Sequence, residues 1–312
     1  MRYTVIMFFT IFIFGCGNNN EISLAEVCNS SGELCEKITL DSFCKSSRRE
    51  VITKSYLVRE EKIESKKNKL KYELLLNLED FVKCSEKTTF IKYDYNKFKR
   101  QDQEISRESK VMEKEKNVRK KIKKELLERE KKREQNYIFA NYMLNSLNER
   151  TKGNENPYLL YWHWSRNGNK EAAKKLESLY EKNELKSYKI IFYMSQYYSK
   201  FDKEKSVDLF LKALEKLPPS EYKDKKSHKI YGGLTKDFSI HLSIFRSLVT
   251  YYYNKKDYEK AYIFSKLLEL KNDKTSNILK IVKYFENQKE AEYKVDLINK
   301  ALEEGRFKKT ML

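Results

Sequence analysis

Five cysteines and three histidines hold most of the chemistry this chain could do: Cys16, Cys28, Cys35, Cys44 and Cys84, with His163, His228 and His241. A thiol can serve as nucleophile, metal ligand or disulfide partner, and an imidazole as an acid–base group or ligand. The spacing excludes most of those roles. The intervals between the last four cysteines lack the close pairs that a four-cysteine zinc site uses, so no metal is expected. No histidine has a ligand partner at helical spacing, and HExxH, GxSxG, a phosphate-binding glycine loop and a dinucleotide fingerprint are all missing from the sequence. His163, between Trp162 and Trp164, is the one conspicuous setting, and a histidine on an aromatic helix face is read as packing. The sequence therefore predicts no catalytic residue, no cofactor and no enzyme activity.

Cys16 has a different setting. It ends a segment with one charge, Arg2, followed by an apolar run from Val5 to Phe14 and then Gly15. A run of about ten residues spans only ~15 Å as a helix, too short to cross a bilayer and suited to a cleaved export signal. Ile13-Phe14-Gly15-Cys16 resembles the lipobox of bacterial lipoproteins, in which the cysteine is acylated and becomes the new N-terminus. That resemblance implies a signal peptide over residues 1–15, lipidation at Cys16 and anchoring to a membrane in the cell envelope. Gly17 and Asn18 follow, where Asp is the usual inner-membrane retention signal, so the outer membrane's periplasmic face is expected.

The formal net charge is +19, and it drops by one when residues 1–15 are removed with Arg2. A basic balance can mean nucleic acid, anionic lipid or an acidic partner. Export and the lack of any nucleic-acid motif argue against nucleic acid. The Lys-, Asn-, Ile- and Tyr-rich composition is also what AT-rich codons favour.

With three Pro and eight Gly in 312 residues, and apolar residues three and four apart, the chain is expected to be all-α. In an exported protein the four remaining cysteines read as two disulfides. Helices over Ser42–Glu60 and Lys69–Cys84, joined by a polar turn around Ser65–Asn68, would form an antiparallel hairpin. Cys44 and Cys84 are equidistant from Glu64, so they are predicted to pair, leaving Cys28 with Cys35.

Residues 16–100 are expected as a cysteine-containing helical head. Leu70, Leu74, Leu78, Phe81 and Val82 mark one buried helix face, and Phe90, Ile91, Tyr95 and Phe98 mark the next. Residues 101–150 are expected as a charged linker helix, because apolar positions thin out among mixed Lys and Glu. Residues 151–312 read as helical hairpins. Ile190, Tyr193, Met194 and Tyr197 face Phe210 and Ala213 in one unit, and Phe245, Leu248, Val249 and Tyr252 face Tyr258, Ala261 and Leu268 in another. Small Ala213 and Ala261 would let helices approach while large Tyr197 and Tyr252 fill the space between them. These spacings resemble the tetratricopeptide repeat, a helical hairpin, although Lys256 stands where that repeat usually has a turn glycine. Tyr158 to Tyr180 looks like a third, degenerate unit, and residues 275–303 like a closing cap.

The lipobox, the cysteine segment from Val27 to Arg49, the stretch from Leu74 to Phe81 and above all the run Asn156-Pro157-Tyr158-Leu159-Leu160-Tyr161-Trp162-His163-Trp164-Ser165-Arg166-Asn167-Gly168 belong together. They resemble an uncharacterised family of gammaproteobacterial lipoproteins, a domain of unknown function with tetratricopeptide-like helices. The resemblance covers most of residues 16–270 and supplies no activity. The functional expectation is a scaffold that binds another, unknown envelope protein. An immunity lipoprotein against a delivered toxin, or an accessory factor or enzyme acting on cell wall or lipid, is the alternative. In tetratricopeptide stacks the first helix of each hairpin lines a groove, which implies partner-binding roles for Tyr158, Trp162, Arg166, Tyr188, Tyr198, Arg246, Tyr253 and Asn254.

Overall fold

The computed structural model describes residues 22–38, 43–93, 111–223, 239–273, 275, 278–285 and 287–312, and side chains in 111–116 are outside that description. Among the described residues every regular element is a helix, so the fold is all-α. Many of these helices begin where a short polar side chain satisfies a backbone N–H that the helix leaves unpaired. Ser23 and Glu26 form a reciprocal capping box at α1 (Leu24–Ser30). Asn156, Asn169, Ser187, Asp202 and Asp257 accept such bonds at later helices.

The head contains α1, α2 (Gly32–Lys37), α3 (Lys45–Glu60) and α4 (Glu64–Thr89). The chain reverses earlier than expected, between Glu60 and Glu64, where the Glu61 carboxylate accepts the Ile63 N–H. Cys44 is bonded to Cys84 and Cys28 to Cys35, the pairing read from the hairpin, with Cα separations of 6.0 and 5.6 Å. Val27, Ile38, Val51, Ile52, Leu75, Leu78 and Phe81 form the head's interior. Buried Arg48 donates to the carbonyls of Ile38 and Cys35, tying α3 to the segment that carries the smaller disulfide. Phe90 is not core: α4 ends at Thr89, and Phe90 follows it 78% exposed. Tyr95 and Phe98 lie outside the described residues.

α5 (Val111–Arg150) runs antiparallel to α4. Glu130 accepts the Tyr93 N–H, Arg133 donates to the Ile91 carbonyl, and Asn154 beyond the helix end donates to Asn68. The segment expected as a linker therefore divides in two. Residues 117–129 are mostly exposed, whereas Ala140 and Leu147 join the head's interior once apolar residues return at helical spacing.

Two hairpins follow the junction helices α6 (Pro157–Asn167) and α7 (Lys170–Glu181): α8 (Tyr188–Tyr198) with α9 (Lys203–Glu215), and, after the short α10 (Pro219–Lys223), α11 (Ile240–Asn254) with α12 (Tyr258–Leu270). Ala213 and Ala261 are fully buried at the helix contacts, and Tyr252 is buried as expected. Tyr197 is not: it is 40% exposed, and its neighbour Tyr198 points inward instead. Lys256 adopts φ 62°, so the turn takes the left-handed conformation a glycine would favour. α13 (Ile278–Val282) and α14 (Gln288–Glu303) pack on α12, and buried Phe307 follows them.

Candidate functional site

The sequence run that stood out most, residues 156–168, folds as α6 and is buried on two sides. Leu159 and Trp162 belong to the head's apolar cluster, while Leu160 and Trp164 belong to the cluster of the hairpins. Asn156 caps the helix, Pro157 starts it where no amide hydrogen is needed, and Gly168 ends it at φ 63°. A polar network fastens it to the end of α5. The Trp162 indole N–H and the Asn167 amide both donate to Asn148 Oδ1, each at 2.8 Å. Asn167 also donates to His163 Nδ1, so the ring proton sits on Nε2, 3.1 Å from Thr151 Oγ1. Burial holds the His163 pKa below the usual value. His163 is thus a packed neutral strut, and His241 is likewise buried, against Tyr222 and Phe245. His228 lies outside the described residues, as does Cys16.

The eight residues expected in a partner groove do not share one surface. Trp162, Tyr188 and Tyr198 are buried packing residues, because the helix faces that carry them turn toward neighbouring elements. Tyr158 packs on Tyr72 and shares a hydrogen bond with Ser187. Arg166 lies over Trp162 and pairs with Glu79 of α4. Tyr253 packs edge-on against Tyr258.

Arg246 and Asn254 do come together, on the outer side of α11. They line an open groove of about 680 Å³ between α11, α9 and the end of α8. Val207, Phe210 and Tyr251 supply apolar lining, and Gln196, Ser199, Ser247 and Thr250 supply hydroxyl and amide groups. Among the described residues its charged lining residues are Lys203, Arg246 and Lys255, with no carboxylate in the lining itself. Arg246 is positioned from behind. Its Nε donates to Thr275 and its Nη2 pairs with Asp273, whose side chain is only 5% exposed. Burial would raise the Asp273 pKa, but hydrogen bonds from Thr275 and Arg246 outweigh it and hold the carboxylate ionised. Lys255 pairs with Glu204 at 2.8 Å, which keeps its ammonium above the usual pKa. Lys203 and Lys255 went unnoticed in the sequence, though their places flanking the hairpin turns were the available signal.

Other displaced groups belong to packing. Burial pushes the phenols of Tyr193 and Tyr252 up to about 12. Among the described residues no group of three or more His, Cys, Asp or Glu side chains could hold a metal ion, and no helix is long and apolar enough to cross a membrane.

A family model described as "Protein of unknown function (DUF2989)" matches residues 13–126 and 96–266. The chain belongs to this DUF2989 family. The two matched stretches overlap in 96–126, which takes in the first half of the charged segment, and the second contains both α6 and the whole groove lining. No curated protein and no solved structure matches the chain. DUF2989 membership thus accompanies the fold without supplying an activity.

Proposed function

We propose that this DUF2989 protein is an envelope lipoprotein, anchored through Cys16 at the periplasmic face of the outer membrane, whose tetratricopeptide-like hairpins form a non-enzymatic scaffold for a protein partner. The observation that carries the reading is the open groove of about 680 Å³ between α8–α9 and α11, lined by Arg246 and Asn254 with apolar and hydroxyl side chains beside them. Such a mixture suits recognition, because apolar lining contributes affinity while sparse polar groups fix orientation. The hairpins support the repeat-like comparison through fully buried Ala213 and Ala261 at their helix contacts. Lys255 is a cation at neutral pH with or without its exposed pair to Glu204, which suits it to recognise an anionic group.

Two measurements test this. Metabolic labelling with an acyl analogue should mark the wild-type protein and leave Cys16→Ser unmarked; label retained on Cys16→Ser rejects the anchor. Crosslinking in cells followed by mass spectrometry should enrich a specific protein over another lipoprotein carrying the same signal. Equal recovery from both removes the scaffold reading.

A further inference from the structure

We propose that the groove between α9 and α11 binds an acidic, partly apolar peptide segment of the partner, a specification that rests on the scaffold reading above. The cations are arranged for exchange. Lys203 makes no ion pair among the described residues, and Lys255 pairs with Glu204 only at the surface, where both side chains are more than half exposed. An exposed pair of this kind contributes little and yields easily to an incoming carboxylate. Arg246 differs: Asp273 and Thr275 occupy its Nη2 and Nε, which fixes the guanidinium plane, while its Nη1 makes no hydrogen bond among the described residues. A carboxylate arriving from the groove side would therefore meet a preoriented donor.

Neither a purely anionic polymer nor a purely apolar helix suits the remaining lining. Val207, Phe210 and Tyr251 offer an apolar strip beside the cations, and Gln196, Thr250 and Asn254 offer groups able to bond a peptide backbone. Acidic side chains reaching Lys203, Arg246 and Lys255, with an apolar side chain between them on the half-buried Val207 and Tyr251, satisfy all three kinds of lining. Among the described residues the lining itself holds no carboxylate; Glu204 and Asp273 lie beyond it, each already paired with Lys255 or Arg246.

The test uses the full mature chain in detergent and a short fluorescein-labelled peptide in which Glu and Leu are spaced by Ser. Its counterpart carries Gln at every Glu. The Glu peptide should bind, and binding should weaken about tenfold with the Gln peptide and with Lys203→Gln/Lys255→Gln, which leaves the Arg246–Asp273 pair intact. Lys174→Gln/Lys182→Gln, exposed on and after α7, should bind as the wild type does. Equal binding of the two peptides, or an equal loss in the Lys174/Lys182 variant, overturns the proposal. So does displacement of the peptide by phosphatidylglycerol added to the detergent micelles but not by equal phosphatidylcholine, which would assign the groove to lipid. In cells, a photocrosslinking residue at exposed Thr250 separates this proposal from its parent. An acidic crosslinked segment supports it, and a segment without acidic residues overturns it while the scaffold reading stands. If neither Thr250 nor whole-protein crosslinking captures a partner, both fall.

Discussion

Replacing Trp162 with Ala should destabilise the whole molecule rather than abolish binding alone. The indole is 4% exposed within the head's interior, and its N–H donates to Asn148 at 2.8 Å. Burying a tryptophan removes roughly 150–250 Å² from water, which at about 25 cal/mol per Å² corresponds to ~4–6 kcal/mol. Measured Trp→Ala changes in cores fall near 3–5 kcal/mol, and that is the loss expected here. Asn148 is not orphaned, because Asn167 still donates to its Oδ1, so no further penalty for an unsatisfied acceptor is added. Trp162→Phe keeps most of the apolar area and gives up the N–H, so its loss should be smaller, about 1–2 kcal/mol. Urea titration followed by circular dichroism gives both values from the midpoint and slope. Since α6 contributes to both apolar clusters, far- and near-ultraviolet signals should fall together in the wild type. A Trp162→Ala protein within about 1 kcal/mol of wild type would refute the burial of α6 against the head.

Other consequences are equally direct. Cys44→Ala/Cys84→Ala opens a loop of sequence separation 40 and should lower stability by about 4 kcal/mol, against ~2 kcal/mol for Cys28→Ala/Cys35→Ala; peptide mapping without reductant checks the pairing, and urea midpoints check the ranking. Lys256→Gly should raise stability by about 0.5–1 kcal/mol, because φ 62° strains any side-chain-bearing residue, and an unchanged or lower melting temperature would contradict this. His163 is held neutral by burial, so its contribution to stability is complete above the unfolded pKa of ~6.5 and is lost as pH falls below that toward its lower folded value. His163→Gln, which can still donate and accept, should therefore flatten the decline in stability between about pH 7 and 5; an unchanged slope would show that His163 does not titrate as described.

Much of this architecture was legible because local rules and packing agree. Ser187, Asp202 and Asp257 announce helix starts, and their side chains accept backbone N–H groups there. The cysteine pairing followed from hairpin symmetry and survived an earlier turn, since α3 and α4 remain antiparallel neighbours. Side-chain direction was harder wherever aromatic residues adjoin. In Tyr197-Tyr198 the pattern alone does not decide which ring turns inward; Trp164, Glu177 and Lys205 receive Tyr198 in the folded chain. For Trp162 the missing information was tertiary: a helix apolar on several sides is a buried helix, and α6 has a core on each flank. Arg246 was easier, because a charge between inward-facing Phe245 and Leu248 had to leave the core.

The double burial of α6 also limits how this chain can be divided. A cut after Arg150 would leave one fragment without Leu159 and Trp162 to complete its interior, and would leave the other displaying those two side chains to water. Neither half would be a faithful copy of itself in the whole. Gene fusions that swap one half for a foreign one would succeed only by carrying α6's partners, from Asn148 to Thr151, along with it. Inheritance should therefore treat the two cores as one unit, with substitutions in Trp162 and Asn148 arising together rather than independently.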